Sequence, residues 1–218
     1  MKILALDFSS TQRSVAVLND GDAAAYQVID ASTGRDMKPF ALIEAALRQA
    51  KLERQAIECI AVGIGPGSYT GIRVAISLAQ GWQLATGVKL LGVSSVDCIA
   101  AQAAAEGVSG KCCVAIDALR GEFYLASYEV SGSGVKEIAP LKLATLAEVE
   151  ARIKAGALPV GPEVMKWFPG GRVVFPSAAT LASLSRQRTD FVSGEKLEPI
   201  YLRETTFVKA PPSRILCD

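Results

Sequence analysis

Histidine is absent from this chain of 218 residues. Its absence excludes a Ser-His-Asp or Cys-His nucleophile system, a His metal ligand and a His general base together. Any remaining catalytic scheme would rest on carboxylates, Lys or Tyr. A surplus of positive charge is missing too: 23 Lys plus Arg face 22 Asp plus Glu, so nothing in bulk draws the chain onto nucleic acid by counterion release. RNA contact would need a local patch or a partner. The five cysteines, Cys59, Cys98, Cys112, Cys113 and Cys217, are odd in number and form no C-x-x-C pair, which indicates neither a disulfide framework nor a zinc knuckle. The opening apolar run meets a charge at Asp7, too early for a signal-peptide core, and no later run approaches membrane-spanning length. The expectation is a soluble, cytoplasmic protein with no membrane association and no metal or other cofactor.

Half of the residues are hydrophobic, enough to build a sizeable core in one large domain or two small ones. Lys2 to Ser10 reads as a buried strand because Ile3 to Leu6 run apolar without alternation. Ser14 to Leu18 is a second strand, Asn19-Asp20-Gly21 a turn, and Ala24 to Ile29 a third strand. Helical period then takes over from Asp36, a candidate N-cap, to Ala50. Ile57 to Ile64 is a strand broken by Gly65-Pro66-Gly67, Thr70 to Thr86 a helix closed by Gly87, Lys89 to Val93 a strand, and Ser95 to Glu106 a helix.

Beyond Gly107 to Gly110 the opening pattern recurs. Ile3 to Asp7 matches Cys113 to Asp117, and Val15 to Leu18 matches Leu125 to Tyr128, both at an offset of 110, which reads as a duplicated unit with domains 1–108 and 109–218. Chance recurrence of two apolar strands is the alternative. The second copy reads as abbreviated, with a helix at Thr145 to Lys154, short strands at Leu158 to Val160 and Arg172 to Phe175, and a helix from Ser177. Two copies of strand, Asp, turn and strand resemble the two-lobed actin-like ATPase architecture, a duplicated ribonuclease H-like α/β fold, here with a reduced second lobe.

Asp7, Ser9, Ser10, Gly65, Gly67 and Asp117 form a candidate vestigial nucleotide site: hydroxyls, flexible glycines and a helix N-terminus suit phosphate, and Asp117 with Glu122 suits a water-held metal. Against this, Gly65 to Arg73 lacks the lysine of a P-loop and does not match G-x-G-x-x-G. An Asp that ends a buried strand commonly caps its own turn. Arg186, Arg188, Arg203, Lys209 and Arg214 suit phosphate contact or simply a solvated face. The helices Asp36 to Ala50 and Gly71 to Thr86 are apolar on more than one side. Met37, Phe40, Ile43, Leu47, Ile72, Ala75, Ile76, Ala79 and Trp82 are therefore candidate interface residues, unless the two helices simply bury each other.

The stretch Gly65-Pro66-Gly67-Ser68-Tyr69-Thr70-Gly71-Ile72-Arg73 resembles the signature of the TsaB/YeaZ family. Leu91 to Ser95, Ala115 to Ala118 with Gly121 to Tyr124, and Pro199 to Arg203 are similar to its further blocks. The resemblance implies a glycoprotease-like member of the actin-like ATPase superfamily. It implies a non-catalytic subunit that pairs with the catalytic paralogue TsaD and the small ATPase TsaE and reaches tRNA indirectly through that complex. The two-sided apolar helices, for their part, predict a two-fold homodimer when the chain is alone. In that family, metal and catalysis belong to TsaD and its histidines, so the absence of histidine here fits the partner. Arg35, Ala41, Leu119 and Arg120 depart from the family pattern. The alternatives are a nucleotide-binding ATPase or kinase using Asp7 and Asp117, and a glycoprotease-like hydrolase.

Overall fold

The computed structural model describes residues 1–20, 25–30 and 38–203. Two sheets carry the fold. The first contains β1 (Ile3–Asp7), β2 (Arg13–Leu18), β3 (Tyr26–Asp30), β4 (Cys59–Gly63) and β5 (Lys89–Val93), in the order β3-β2-β1-β4-β5. The second contains β6 (Gly110–Asp117), β7 (Glu122–Ser131), β8 (Gly134–Thr145), β9 (Leu158–Gly161) and β10 (Arg172–Val173), in the order β8-β7-β6-β9-β10. In each, an antiparallel meander is followed by parallel strands on the other side of the first strand. The same order occurs twice, which is the two-lobed actin-like fold.

The absence of alternation in Ile3 to Leu6 follows from burial on both faces. Leu4, Leu6, Val15, Val17, Ile60 and Val62 face α1 (Pro39–Ala50) and α2 (Tyr69–Thr86), while Ile3, Ala5, Ala16, Leu18 and Ala61 face α5 (Ala178–Ser185). In the second sheet Cys112, Val114, Ile116 and Ala126 pack on α3 (Ser95–Ala105), and Cys113, Ala115, Phe123 and Leu125 on α4 (Leu146–Lys154) and Phe168. Helices α3 and α5 thus each pack on the sheet of the other half of the sequence. A boundary at 108/109 separates the two sheets along the chain but not the helices that cover them.

Two corrections to the repeat emerge. Asp7 pairs with Ser14, whereas Asp117 pairs with Phe123, so the offset is 110 on the first strand and 109 (123 minus 14) on the second. The second turn is one residue shorter. Because side chains alternate between faces, Val15 corresponds to Tyr124, and a constant offset would have put every residue of β7 on the wrong side. The second sheet is also complete, since β8, which the sequence pattern did not reveal, supplies its fifth strand. The reduction lies in the crossover: 18 residues of α2 join β4 to β5, but only a short 3-10 turn, Val164–Lys166, stands between β9 and β10. The N-cap expected at Asp36 lies outside the described residues; Lys38 precedes α1 without a side-chain cap. Gly87 ends α2 with φ 72° and its N–H on Gln83 O, as a glycine cap should. Among the described residues no helix is long and apolar enough to cross a membrane.

Candidate functional site

A cleft of about 430 Å³ opens between the lobes. Ser9, Ser10, Thr11 and Arg13 line it from the turn after β1, Pro66 to Tyr69 from the start of α2, and Asp117 with Leu119 from the turn after β6. Glu163 and Lys166 add a carboxylate and an ammonium, with Ile99 and Pro176 also lining it. The hydroxyls expected to meet phosphate are therefore brought together with Gly67 and Asp117.

Asp7 is not. It is fully buried, and its Oδ1 accepts from Ser9 N at 3.0 Å and Ser9 Oγ at 2.7 Å. Its Oδ2 has no hydrogen-bond partner among the described residues and lies where a Cβ on Gly63 would come within 2.2 Å. Burial pushes the carboxyl up to about 6, partly offset by the two bonds from Ser9. Asp117 Oδ1 accepts from Leu119 N at 2.7 Å, the same two-residue reach. Both aspartates cap their own turns, and only the second also lines the cleft. Burial, with Asp117 nearby, raises the pKa of Glu163. The described residues contain no group of three or more His, Cys, Asp or Glu able to hold a metal.

The glycines of the Gly65 to Arg73 stretch have packing duties. A Cβ on Gly67 would come within 2.1 Å of Ser9 O, and one on Gly71 within 1.9 Å of Phe8 O. Ser68 N donates to Ser9 O at 2.7 Å, and Ser68 Oγ accepts from Gly71 N to cap α2. These residues bring the first turn of α2 into backbone contact with the β1–β2 turn, a closeness only glycine permits. Gly65 has φ 91° and Ile72 beside its missing Cβ; it does not line the cleft.

The candidate interface residues divide by face. Ile43, Leu47, Ile72, Ala75, Ile76 and Ala79 are buried in the first-lobe core against the sheet; they are not a docking surface, because each helix turns its tightest-packing stripe inward. Met37 lies outside the described residues, as do Arg35, Lys209, Arg214 and Cys217. Phe40 is 65% exposed and Trp82 half-buried. With Val74 and Leu78, half-buried like Trp82 at the edge of the first-lobe core, and with exposed Ala85, they form a stripe along the outer side of α1 and α2, spaced by three or four residues on α2 and interrupted by Ser77 and Gly81. Phe40, Leu78, Trp82 and Ala85, with the edge of Ile43, line a groove of about 510 Å³ bounded by Arg54, Gln55 and Thr86. Through Phe40, Ser77 and Leu78 the groove runs into a second one, of about 450 Å³, that reaches Pro39, Tyr69 and Arg73. The 3.6-residue period marks both stripes but not which of them faces the sheet.

Of the C-terminal arginines, Arg188 and Arg203 are engaged. Arg188 pairs with Asp190 and donates to Gly92 O, and Arg203 Nη2 donates to Ala118 O and pairs with Glu122.

Residues 39–205 match the family described as TsaD, tRNA N6-adenosine threonylcarbamoyltransferase. The chain is 28% identical to the tRNA threonylcarbamoyladenosine biosynthesis protein TsaB of Escherichia coli K12, covering 98% of this chain and all of that protein. It is 26% identical to TsaB of Bacillus subtilis over 73% of this chain and 69% of the relative. YeaZ from Pseudomonas aeruginosa superposes with a TM-score of 0.80 at 25% identity, over 92% of this chain and 99% of that one. With the family match spanning most of its length and the fold shared throughout, the chain belongs to the TsaD family of tRNA N6-adenosine threonylcarbamoyltransferases and, within it, to the TsaB/YeaZ group.

Proposed function

We propose that this protein acts in tRNA threonylcarbamoyladenosine biosynthesis as a non-catalytic subunit. It docks through the outer faces of α1 and α2 onto the catalytic TsaD relative, in an assembly that also includes the small ATPase TsaE. The outward stripe Phe40, Val74, Leu78, Trp82 and Ala85 carries the reading. A helix that packs on a sheet needs one apolar stripe, and α2 has a second. Ser77 and Gly81 leave room for another helix to seat between the larger side chains, as ridges seat in grooves. TsaD belongs to the same family, so its equivalent helix pair is a partner of matching shape. A second copy of this chain presents the identical stripe, so the homodimer competes with the heterodimer for it.

The absence of histidine and the sealing of Asp7 support a subunit without its own turnover. A nucleotide phosphate or metal in the cleft would meet the hydroxyls of Ser9, Ser10 and Thr11 but not the Asp7 carboxylate.

Leu78→Glu and Trp82→Ala test the reading by titration calorimetry against purified TsaD from the same organism. Central truncations in such an interface cost about 2 kcal/mol or more, so each variant is expected to bind at least about thirtyfold more weakly while its circular dichroism spectrum is retained. Unchanged affinity in both variants would place the interface elsewhere. Ala75→Glu and Ala79→Glu are unsuitable probes, since both positions are fully buried and a charge there breaks the core.

A further inference from the structure

The last described stretch of chain does not stay with the second sheet. Arg188 donates to Gly92 O at 3.0 Å and Val192 N to Leu90 O at 3.0 Å, along β5. Gly194 lies against α2: its carbonyl accepts from Gln80 Nε2 at 2.8 Å, and its N–H donates to Gln83 Oε1 at 2.6 Å. Leu197 is buried in the first-lobe core, and Ile200 N donates to Ile64 O at 2.9 Å. Up to this point every anchor belongs to the first lobe. Arg203 then reaches the turn between β6 and β7 in the second, where its Nη2 donates to Ala118 O at 3.1 Å and pairs with Glu122 Oε2 at 2.5 Å. Between the two anchors, the Tyr201 hydroxyl accepts from Arg73 Nε at 3.0 Å, with the Arg73 guanidinium 4.4 Å above the Tyr69 ring. The strap closes over a cavity of about 200 Å³ that shares Gly67, Tyr69, Asp117 and Leu119 with the main cleft.

We propose that Pro199–Arg203 is a latch that holds the two lobes at one separation, with Tyr201 and Arg73 as its clasp on the first lobe and Arg203 and Glu122 as its clasp on the second. The lobes are also joined where α3 and α5 meet, through Thr180 and Gln102. A joint between packed helices permits hinge or shear motion about the contact; a second attachment at another point suppresses it. Each clasp is weak by itself, because the Arg203–Glu122 pair is about one-third exposed on both sides. It acts because residues 188–200 already hold Arg203 beside its target, so little freedom is lost on closing. The cleft is then a fixed frame rather than a jaw. This inference stands independently of the docking face.

Spin labels on the full chain at Glu53→Cys in the first lobe and Glu150→Cys in the second, in a Cys217→Ser background, report the lobe separation by pulsed electron resonance. The remaining thiols are buried, with Cys59 and Cys112 pushed up to about 11 and Cys113 to about 12 by that burial, so they do not label. The expected result is one narrow distance distribution for the parent. Arg203→Ala and, separately, Tyr201→Phe with Arg73→Gln should broaden it toward longer separations while the thermal midpoint stays near that of the parent. A broad distribution in the parent, or the parent's distribution in both variants, overturns the latch. So does loss of the fold in either variant, which would make the strap a core element instead.

Discussion

The turn after β1 and the turn after β6 begin alike and end in opposite environments. In each, an aspartate ends a strand and accepts from the backbone N–H two residues on. The first turn is roofed by the start of α2 and the loop before it, where Gly71 and Gly67 approach the backbone of Phe8 and Ser9, while the Asp7 side chain, on the α5 face of β1 with Ile3 and Ala5, is fully buried beside Gly63. The second has no such roof, because its crossover is a 3-10 turn, and Asp117 stays on the cleft wall. Without that roof the β6–β7 turn is shaped by its own backbone and by Arg203, which donates to Ala118 O. Leu119 and Arg120 both take left-handed backbone, with φ 63° and 60°, a conformation that costs a residue with a Cβ on the order of 1 kcal/mol. The duplicated strand and Asp preserve the hydrogen bond; what packs around each turn decides whether the carboxylate is buried or open.

Removing the roof should have the largest effect. Gly71→Ala drives a methyl into Phe8 O, a backbone atom that cannot move aside, and is expected to cost at least about 3 kcal/mol in denaturant unfolding or to prevent folding. A loss below about 1 kcal/mol would show that the close approach of α2 to the β1–β2 turn carries little of the fold's stability.

The sealed carboxyl should then set a pH dependence. The Asp7 pKa is raised from 3.8 to about 6 in the folded state, so the folded protein binds the proton more tightly than the unfolded chain. The stability this contributes is fully present below about 3.8 and is lost as pH rises through about 6. Asp7→Asn keeps the acceptor for Ser9 and cannot ionise. It should match the parent near pH 4 and exceed it by on the order of 2–3 kcal/mol above pH 7, measured by unfolding across that range. Equal stability at every pH would mean that Asp7 is ionised at no cost. Asp117→Asn, on the open side of the comparison, should change stability by less than about 0.5 kcal/mol at pH 7.

The smallest effect lies in the unroofed turn. Leu119 is 69% exposed, so Leu119→Gly gives up little burial and relieves the left-handed strain. A gain of about 0.5–1 kcal/mol is expected in thermal unfolding, and a loss would show that the side chain is held by contacts in the cleft.

Much of this was legible in the residues. Continuous apolar strands announced sheets buried on both faces, Gly87 marked the end of α2, and Asp7 and Asp117 marked the repeat. β8 was hidden because it is an edge strand with one face largely in solvent: Lys136, Glu137 and Pro140 interrupt it, and only Leu141 and Leu143 around Lys142 keep a trace of alternation. The turn that is one residue shorter was hidden because Val15 to Leu18 and Leu125 to Tyr128 are both apolar enough to align in either register.

The candidate site divides the same way. The Gly65 to Arg73 stretch stood out as a glycine-bearing strand-to-helix turn, but whether its glycines served a phosphate or a backbone contact depended on what lay within 3 Å of their missing Cβ atoms. By itself the sequence determined most of the elements, the duplicated unit and the family, because strand burial, helix period and capping are local and written in neighbouring residues. Only the tertiary structure decided which stripe of α2 meets the sheet, that Asp7 is sealed while Asp117 is open, and that Arg203 crosses to the other lobe. Those outcomes depend on contacts between segments far apart in the chain, such as Arg73 with Tyr201, 128 residues away, and no local pattern encodes them.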